Sequence, residues 1–211
     1  MLTTTDPFSI FLTLVISLAI LAFSITIHEA SHAWTANRLG DPTAAHQGRI
    51  SLNPLDHIDP LGTVILPLIL IISGLPAFGW AKPTPFNPWN LSNPKRDAAL
   101  ISLAGPLSNL VLAVIFSLIF RLTGFGLFSA VVHLNLVLAI FNLIPVHPLD
   151  GFKVVGGLLP RSTYIQWMEL ERIGPFFLIF FFFLGGRLLA IVGAPILTLF
   201  LGSYADCVLT S

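Results

Sequence analysis

Nineteen consecutive residues, Ser9 to Ile27, carry no charge, and they run directly into His28, Glu29, Ala30, Ser31 and His32. About 20 apolar residues make a helix that spans a bilayer. Ionisable groups inside such a span are costly and mark a functional site by default. The feature therefore constrains fold and chemistry together: a membrane helix with a use for a glutamate between two histidines.

Composition sets the class. Of 211 residues, 55% are hydrophobic and 9% charged, with 18 Phe and a mean hydropathy of +0.89. Soluble domains average about 25% charged residues, so the chain reads as an integral membrane protein built of spanning helices. A net charge of zero and a pI near 7.0 leave no basic footprint for nucleic acid. One cysteine, Cys207, excludes an internal disulfide framework and CxxC-type metal sites. The N-terminal stretch lacks a basic region and carries Asp6, which predicts a retained span rather than a cleaved leader. With no repeat and no large polar block, residues 1–211 read as one membrane domain, with a core at 8–155 and C-terminal helices at 162–204.

Phe8 to about Asn37, Ala98 to Phe120 and Leu127 to Pro145 read as full spans. Ile173 to Leu184 and Leu188 to Leu201 add two more apolar stretches. Leu61 to Ile72 is too short to cross and contains Gly62 and Pro67, so a re-entrant path is expected. The expected fold is an all-α polytopic membrane protein: about five transmembrane helices, a re-entrant segment and a short β-like membrane-associated loop. Parity supports this. If Leu61 to Ile72 dips in and returns, Asp150 emerges on the same side as the histidines. Arg38, Arg49, Lys82, Lys95, Arg96, Lys153, Arg161 and Arg172 then share that side, and the positive-inside rule makes it cytoplasmic. The expected topology is a multi-pass cell-membrane protein with an external N-terminus and its site towards the cytoplasm.

Histidines four apart on a helix share a face, and HExxH on a helix binds one zinc while its glutamate serves as general base. At 1.5 Å per residue, His32 lies roughly 9 Å and His28 roughly 15 Å inside Arg38. The alternative is a pair of histidines hydrogen-bonded between helices. Position 35 is Thr and position 38 is Arg, so no HExxHxxGxxH pattern follows, and a third ligand must come from elsewhere. Asp150 is the candidate. It follows a helix end broken by Pro145 and Pro148 and precedes Gly151, so the backbone can turn its carboxylate inward. Two histidines and one carboxylate leave the fourth tetrahedral position for water. The competing role for Asp150 is a cap on the helix that follows.

HEASH, AGPLSN at 104–109 and NLIPVHPLDG at 142–151 together resemble the site-2 protease family of intramembrane zinc metalloproteases. GDPTA, GRISLNPLDHIDPLGT and GWAKPTPFNP are similar to its short stand-alone prokaryotic members, without PDZ or CBS domains. The resemblance covers roughly residues 20 to 155. It implies one zinc per chain, held by His28, His32 and Asp150, with Glu29 activating water and Asn142 stabilising the reacting carbonyl. It also implies that the substrates are transmembrane helices of other proteins, cleaved in or near the bilayer. His147 departs from the family's usual small apolar residue or proline. It is a candidate for a position behind the ligands, or at the cytoplasmic mouth.

The weaker positions divide as follows. Asn109 more often packs helices together, with Gly105 and Ser108 permitting close approach. His57 reads as a satisfied surface histidine and His46 as solvated. His133, within a span beside Asn135, is expected to bond another helix rather than line a wet cavity. Residues 161–172 mix charge with Tyr164 and Trp167 and read as an interfacial helix start. In residues 79–90, Pro83, Pro85 and Pro88 exclude a regular helix, while Trp80 and Trp89 suit an interface. The non-proline positions there keep N–H groups that a locally unwound substrate could pair with by strand addition. Lys82, Thr84 and Phe86 are therefore candidate substrate-binding residues, against the alternative of a plain surface loop. Two other functions use the same residues: a non-catalytic zinc-binding membrane protein, and a metal transporter. Transporters usually carry paired repeats.

Overall fold

The computed structural model describes residues 6–66, 69, 72–73, 80–174, 176 and 192–202. Helix α1 (Pro7–Arg38) begins with a proline at its first turn, where a missing N–H costs nothing, and ends before Gly40 at φ 104°. Its 32 residues extend about 48 Å at 1.5 Å per residue, well beyond a hydrocarbon core of about 30 Å.

Helix α2 (Pro94–Thr123) also starts on a proline. Asp97 in its first turn accepts the N–H of Asn93 at 2.8 Å, and Gly124 in the left-handed conformation (φ 66°) closes the C-terminus. Helix α3 (Gly126–Asn142) follows at once. Helices α4 (Asp150–Leu158) and α5 (Arg161–Glu169) are short, and α6 (Val192–Leu201) is a further short apolar helix. Helices α1 and α2 are the ones long and apolar enough to cross a membrane among the described residues.

Helix α2 is the centre, packing against α1, α3 and α4. One apolar cluster joins α2, α3 and α6 through Ala113, Phe120, Val132, Leu136, Leu197 and Leu201. A smaller one, Ala36, Leu91 and Ile101 with Phe86 against it, ties the end of α1 to the loop before α2. Lipid is as apolar as leucine, so in a bilayer such clusters guide packing while close approach and polar contacts hold helices together.

Outside the candidate site, the structure differs from expectation in three places. No strand forms among the described residues, and residues 80–87 are an irregular run. Pro83 and Pro85 have no N–H, so a continuous ladder is not available to them. Its other donors are largely engaged: Lys82 N–H bonds the His57 carbonyl at 3.0 Å, and Asn87 N–H bonds Asp41 at 2.6 Å. His57 is buried at 2% exposure instead of lying on the surface, because Arg49 folds across this region onto the carbonyls of Asp56, Lys82 and Pro83. His133, half-buried in α3, makes no hydrogen bond to another helix among the described residues. His46 is exposed, as expected.

Pro60–Ile65 is a π-helical turn, after which the path of Leu61 to Ile72 leaves the described residues in part. Its return is marked by Trp80, whose N–H bonds the Gly62 carbonyl at 3.2 Å while its carbonyl accepts from Thr63 Oγ1 at 2.8 Å. Most of Ile173 to Leu184 and the start of Leu188 to Leu201 lie outside the described residues.

Candidate metal centre

The i, i+4 spacing puts the rings of His28 and His32 on one face of α1, 4.6 Å apart and nearly perpendicular. Both are buried. That face meets α2 at Gly105, where an added Cβ would lie on the Nε2 atoms of both rings. Pro106 follows within the helix and removes a backbone donor just where the rings pass.

The Asp150 carboxylate reaches both imidazoles: its Oδ2 is 3.1 Å from His28 Nε2 and 3.3 Å from His32 Nε2. Asp150 is the first residue of α4 and makes no capping bond there, Leu149 being the cap. Gly151 permits this turn, since a Cβ at 151 would meet the backbone of Leu143 and Ile144. Burial pushes the Asp150 carboxyl up, but the imidazoles of His32 and His28 more than offset it and hold it well below the usual carboxylate range.

The outward nitrogens of the two rings are engaged elsewhere. His32 Nδ1 donates to the Ile101 carbonyl at 2.7 Å, and His28 Nδ1 lies 2.6 Å from Asn109 Oδ1. Asn109 therefore bonds a histidine as well as a neighbouring helix. Ring nitrogens held this way turn both Nε2 atoms towards the carboxylate, and once those atoms are deprotonated they form with it a donor set that suits zinc. One ligand atom from each of His28, Glu29 and His32 also falls within a 4.8 Å cluster.

Glu29 is oriented from outside the helix. Its Oε2 accepts from the Thr84 N–H at 3.0 Å and from Thr84 Oγ1 at 2.7 Å. Lys82 is exposed, and its backbone bonds His57 and Arg49. Phe86 packs in the small cluster, with Lys153 Nζ 4.7 Å above its ring. Burial lowers the Lys153 pKa, against the pull of Asp150, Glu171 and Glu29.

Two expected members bond other partners. The Asn142 amide donates to the Leu138 carbonyl of its own helix at 2.9 Å, with no hydrogen bond to His28, Glu29, His32 or Asp150 among the described residues. His147 pairs with Glu171, Nδ1 to Oε1 at 3.4 Å, and packs edge-on against Phe152, with no hydrogen bond or ion pair to His28, His32 or Asp150 among the described residues. Sequence reasoning passed over Asn135 and Ser24, which continue the contact of Asn109: Asn109 Nδ2 donates to Asn135 Oδ1 at 2.8 Å, and Asn135 Nδ2 to Ser24 Oγ at 2.9 Å. Their signal was polarity within otherwise apolar helices.

No family model matches the chain, and no solved structure matches it. Curated proteins do. "Putative zinc metalloprotease YwhC" of Bacillus subtilis is 38% identical over 182 residues, covering 80% of this chain and 78% of that protein. "Putative zinc metalloprotease Rip2" of Mycobacterium tuberculosis is 31% identical over 170 residues, 75% of this chain and 63% of that protein. Its namesake in Mycolicibacterium smegmatis is also 31% identical, over 65% of this chain and 54% of the relative. The chain thus spans somewhat over half the length of the Rip2 proteins and most of the Bacillus one. Similarity at that level to a relative matched over most of both lengths assigns the chain to the site-2 protease family of zinc metalloproteases.

Proposed function

We propose that the protein is an intramembrane zinc endopeptidase, hydrolysing peptide bonds within or near the transmembrane helices of other membrane proteins. The observation that carries this is the convergence of His28 Nε2, His32 Nε2 and Asp150 Oδ2 at the C-terminal third of a helix whose residues before His28 are uncharged from Ser9 onward. One zinc ion fits that donor set. Zinc supplies Lewis acidity and lowers the pKa of water towards about 7.

The chain's own groups account for the remaining steps. Glu29 takes the proton of the attacking water and returns it to the leaving amine. Asn142 lies at the end of α3, eight residues before Asp150. It donates to the oxyanion once its amide turns from Leu138, a kind of contact worth about 3 kcal/mol. Thr84 binds Glu29, leaving the N–H groups of Ala81 and Phe86 as the donors on this run with no bond among the described residues. These offer an unwound substrate its replacement partners, with Lys82 exposed at the margin.

The same reading makes residues 1–211 one multi-pass domain in the cell membrane, in contact with lipid, of about five spanning helices. The meeting of Gly62 and Trp80 supports a re-entrant path between them. Charge distribution supports an external N-terminus and a site facing the cytoplasm.

The test is Glu29→Gln, which is expected to abolish cleavage of a model transmembrane substrate while about one zinc per chain is retained, since the glutamate acts on water and does not hold the metal. Full cleavage by that variant would refute the assignment. Asp150→Asn is expected to lose zinc together with activity. Wild-type zinc content and cleavage in that variant would reduce Asp150 to a counter-charge.

A further inference from the structure

We propose that Asn135 is a positioning residue for the metal centre: through Asn109 it imposes the polarity of the Val131 carbonyl on His28 and fixes a proton on Nδ1. The inference rests on the reading of His28, His32 and Asp150 as zinc ligands.

The two polar ends of an amide side chain are alike in shape, so their identities follow from their partners. Asn135 has one end 2.9 Å from the Val131 carbonyl and also 2.9 Å from Ser24 Oγ. A backbone carbonyl only accepts, so that end is the NH₂ group. The other end of Asn135 is then Oδ1, and it faces Asn109 at 2.8 Å. The atom of Asn109 that meets it must be a donor, which turns Asn109 Oδ1 towards His28. At 2.6 Å from an acceptor, His28 Nδ1 must carry the proton.

His32 reaches the same state in one step, because its Nδ1 faces the acceptor-only carbonyl of Ile101. Both rings thus present Nε2 to the same point. Asn109 and Asn135 are fully buried at 0% exposure, and Ser24 is buried with them, so water does not substitute for any link. The path crosses α1, α2 and α3, so helix packing and ligand orientation depend on the same bonds.

The test uses the full chain in detergent, with ¹⁵N-labelled histidine and four sequences: wild type, Asn109→Asp, Asn109→Leu and Asn135→Ala. The readouts are the ring ¹⁵N signals of His28 in metal-free protein and the zinc Kd from chelator competition. Wild type should carry a proton on Nδ1. Asn109→Asp, its buried carboxyl protonated, keeps an acceptor facing His28 and an O–H donor facing Asn135 Oδ1, and should hold zinc nearly as wild type does, whereas Asn109→Leu should weaken it by about 10–100-fold. Asn135→Ala touches neither histidine, yet should give a mixed Nδ1 population and several-fold weaker zinc. A packing role alone gives the opposite order at 109, since a buried carboxyl disturbs packing more than leucine does. If Asn109→Leu does not fold, Asn109→Asp and Asn135→Ala decide the matter. Wild-type ring signals and zinc Kd in Asn135→Ala would overturn the proposal, as would mixed protonation in the wild type. A wild-type chain with Nδ1 protonated that binds no zinc would overturn the metal reading and leave the relay standing.

Discussion

Thr84 donates twice to one oxygen of Glu29, through its N–H at 3.0 Å and its hydroxyl at 2.7 Å. Both are hydrogen bonds to a carboxylate, the stronger class at about 1.5–3 kcal/mol each. They come from the irregular run 80–87, while Glu29 belongs to α1, so the loop sets the direction in which the proposed base points.

Thr84→Ser retains both donors and is expected to cleave a model substrate at close to the wild-type rate. Thr84→Val keeps the N–H and removes the hydroxyl. Loss of one charge-assisted bond should lower kcat by about tenfold or more, with zinc content unchanged. Thr84→Pro removes the N–H too, and should fall further. Equal rates for serine and valine variants would mean that the hydroxyl has no part in placing Glu29.

Gly105 supplies a second prediction. Its missing side chain is the space in which the two Nε2 atoms sit. Gly105→Ala gains helix propensity, by about 1 kcal/mol in an ordinary helix interior, yet should lose zinc and activity because the rings must move. Overpacking of this kind costs about 1–3 kcal/mol. A Gly105→Ala chain with normal zinc content would show that α1 and α2 separate readily, and that the close approach is incidental to the site.

Much of this centre was legible in the sequence because its geometry is local. HExxH on a helix fixes the relation of His28 to His32, and the prolines before Asp150, with Gly151 after it, marked where a carboxylate could turn inward. In the structure the Asp150 carboxylate lies 3.1 and 3.3 Å from the two histidines. What stayed hidden depends on helix rotation and loop course. The partnership of Asn109 with Asn135 and Ser24 requires three helices in register, which no spacing within one helix reveals. His57 looked exposed because nothing local predicts that Arg49 will close over it. Asn142 bonds its own helix at Leu138, a contact open to any asparagine in a helix and invisible in a motif.

Acid should expose the role of Asp41. It is buried, and it accepts from the Thr43 hydroxyl and N–H, the Asn90 amide and the Asn87 N–H, tying the end of α1 to the loop before α2. Burial pushes its pKa up, but these donors outweigh it and hold the carboxyl below its usual range. A carboxyl depressed on folding contributes stability that is present above its unfolded pKa of about 3.9 and lost as pH falls through the lower folded value. Thermal melts in detergent should therefore lose this contribution below about pH 4 in the wild type. Asp41→Asn should melt lower at neutral pH and show a shallower acid slope, since its NH₂ group would face the Asn87 N–H. Identical slopes would mean that other carboxyls carry the acid response.

Cysteine labelling from either side of the membrane tests the proposed topology. With Cys207 replaced by serine, single cysteines at Gln47, Ser92, Leu158 and Phe125 can be tested with an impermeant thiol reagent, all four positions being exposed. Gln47 and Ser92 flank the segment that leaves at Gly62 and returns at Trp80. If that segment is re-entrant, they share a side. Leu158 lies at the end of α4, beyond Asp150, and must share that side as well for the carboxylate to reach the histidines. Phe125, between α2 and α3, belongs to the opposite side. The positive-inside rule puts the first three in the cytoplasm. In intact cells only the Phe125 position should react, and in inverted vesicles only the other three. Labelling of Gln47 and Ser92 from opposite sides would make residues 61–72 a true span, and the cytoplasmic assignment of the site would have to be abandoned.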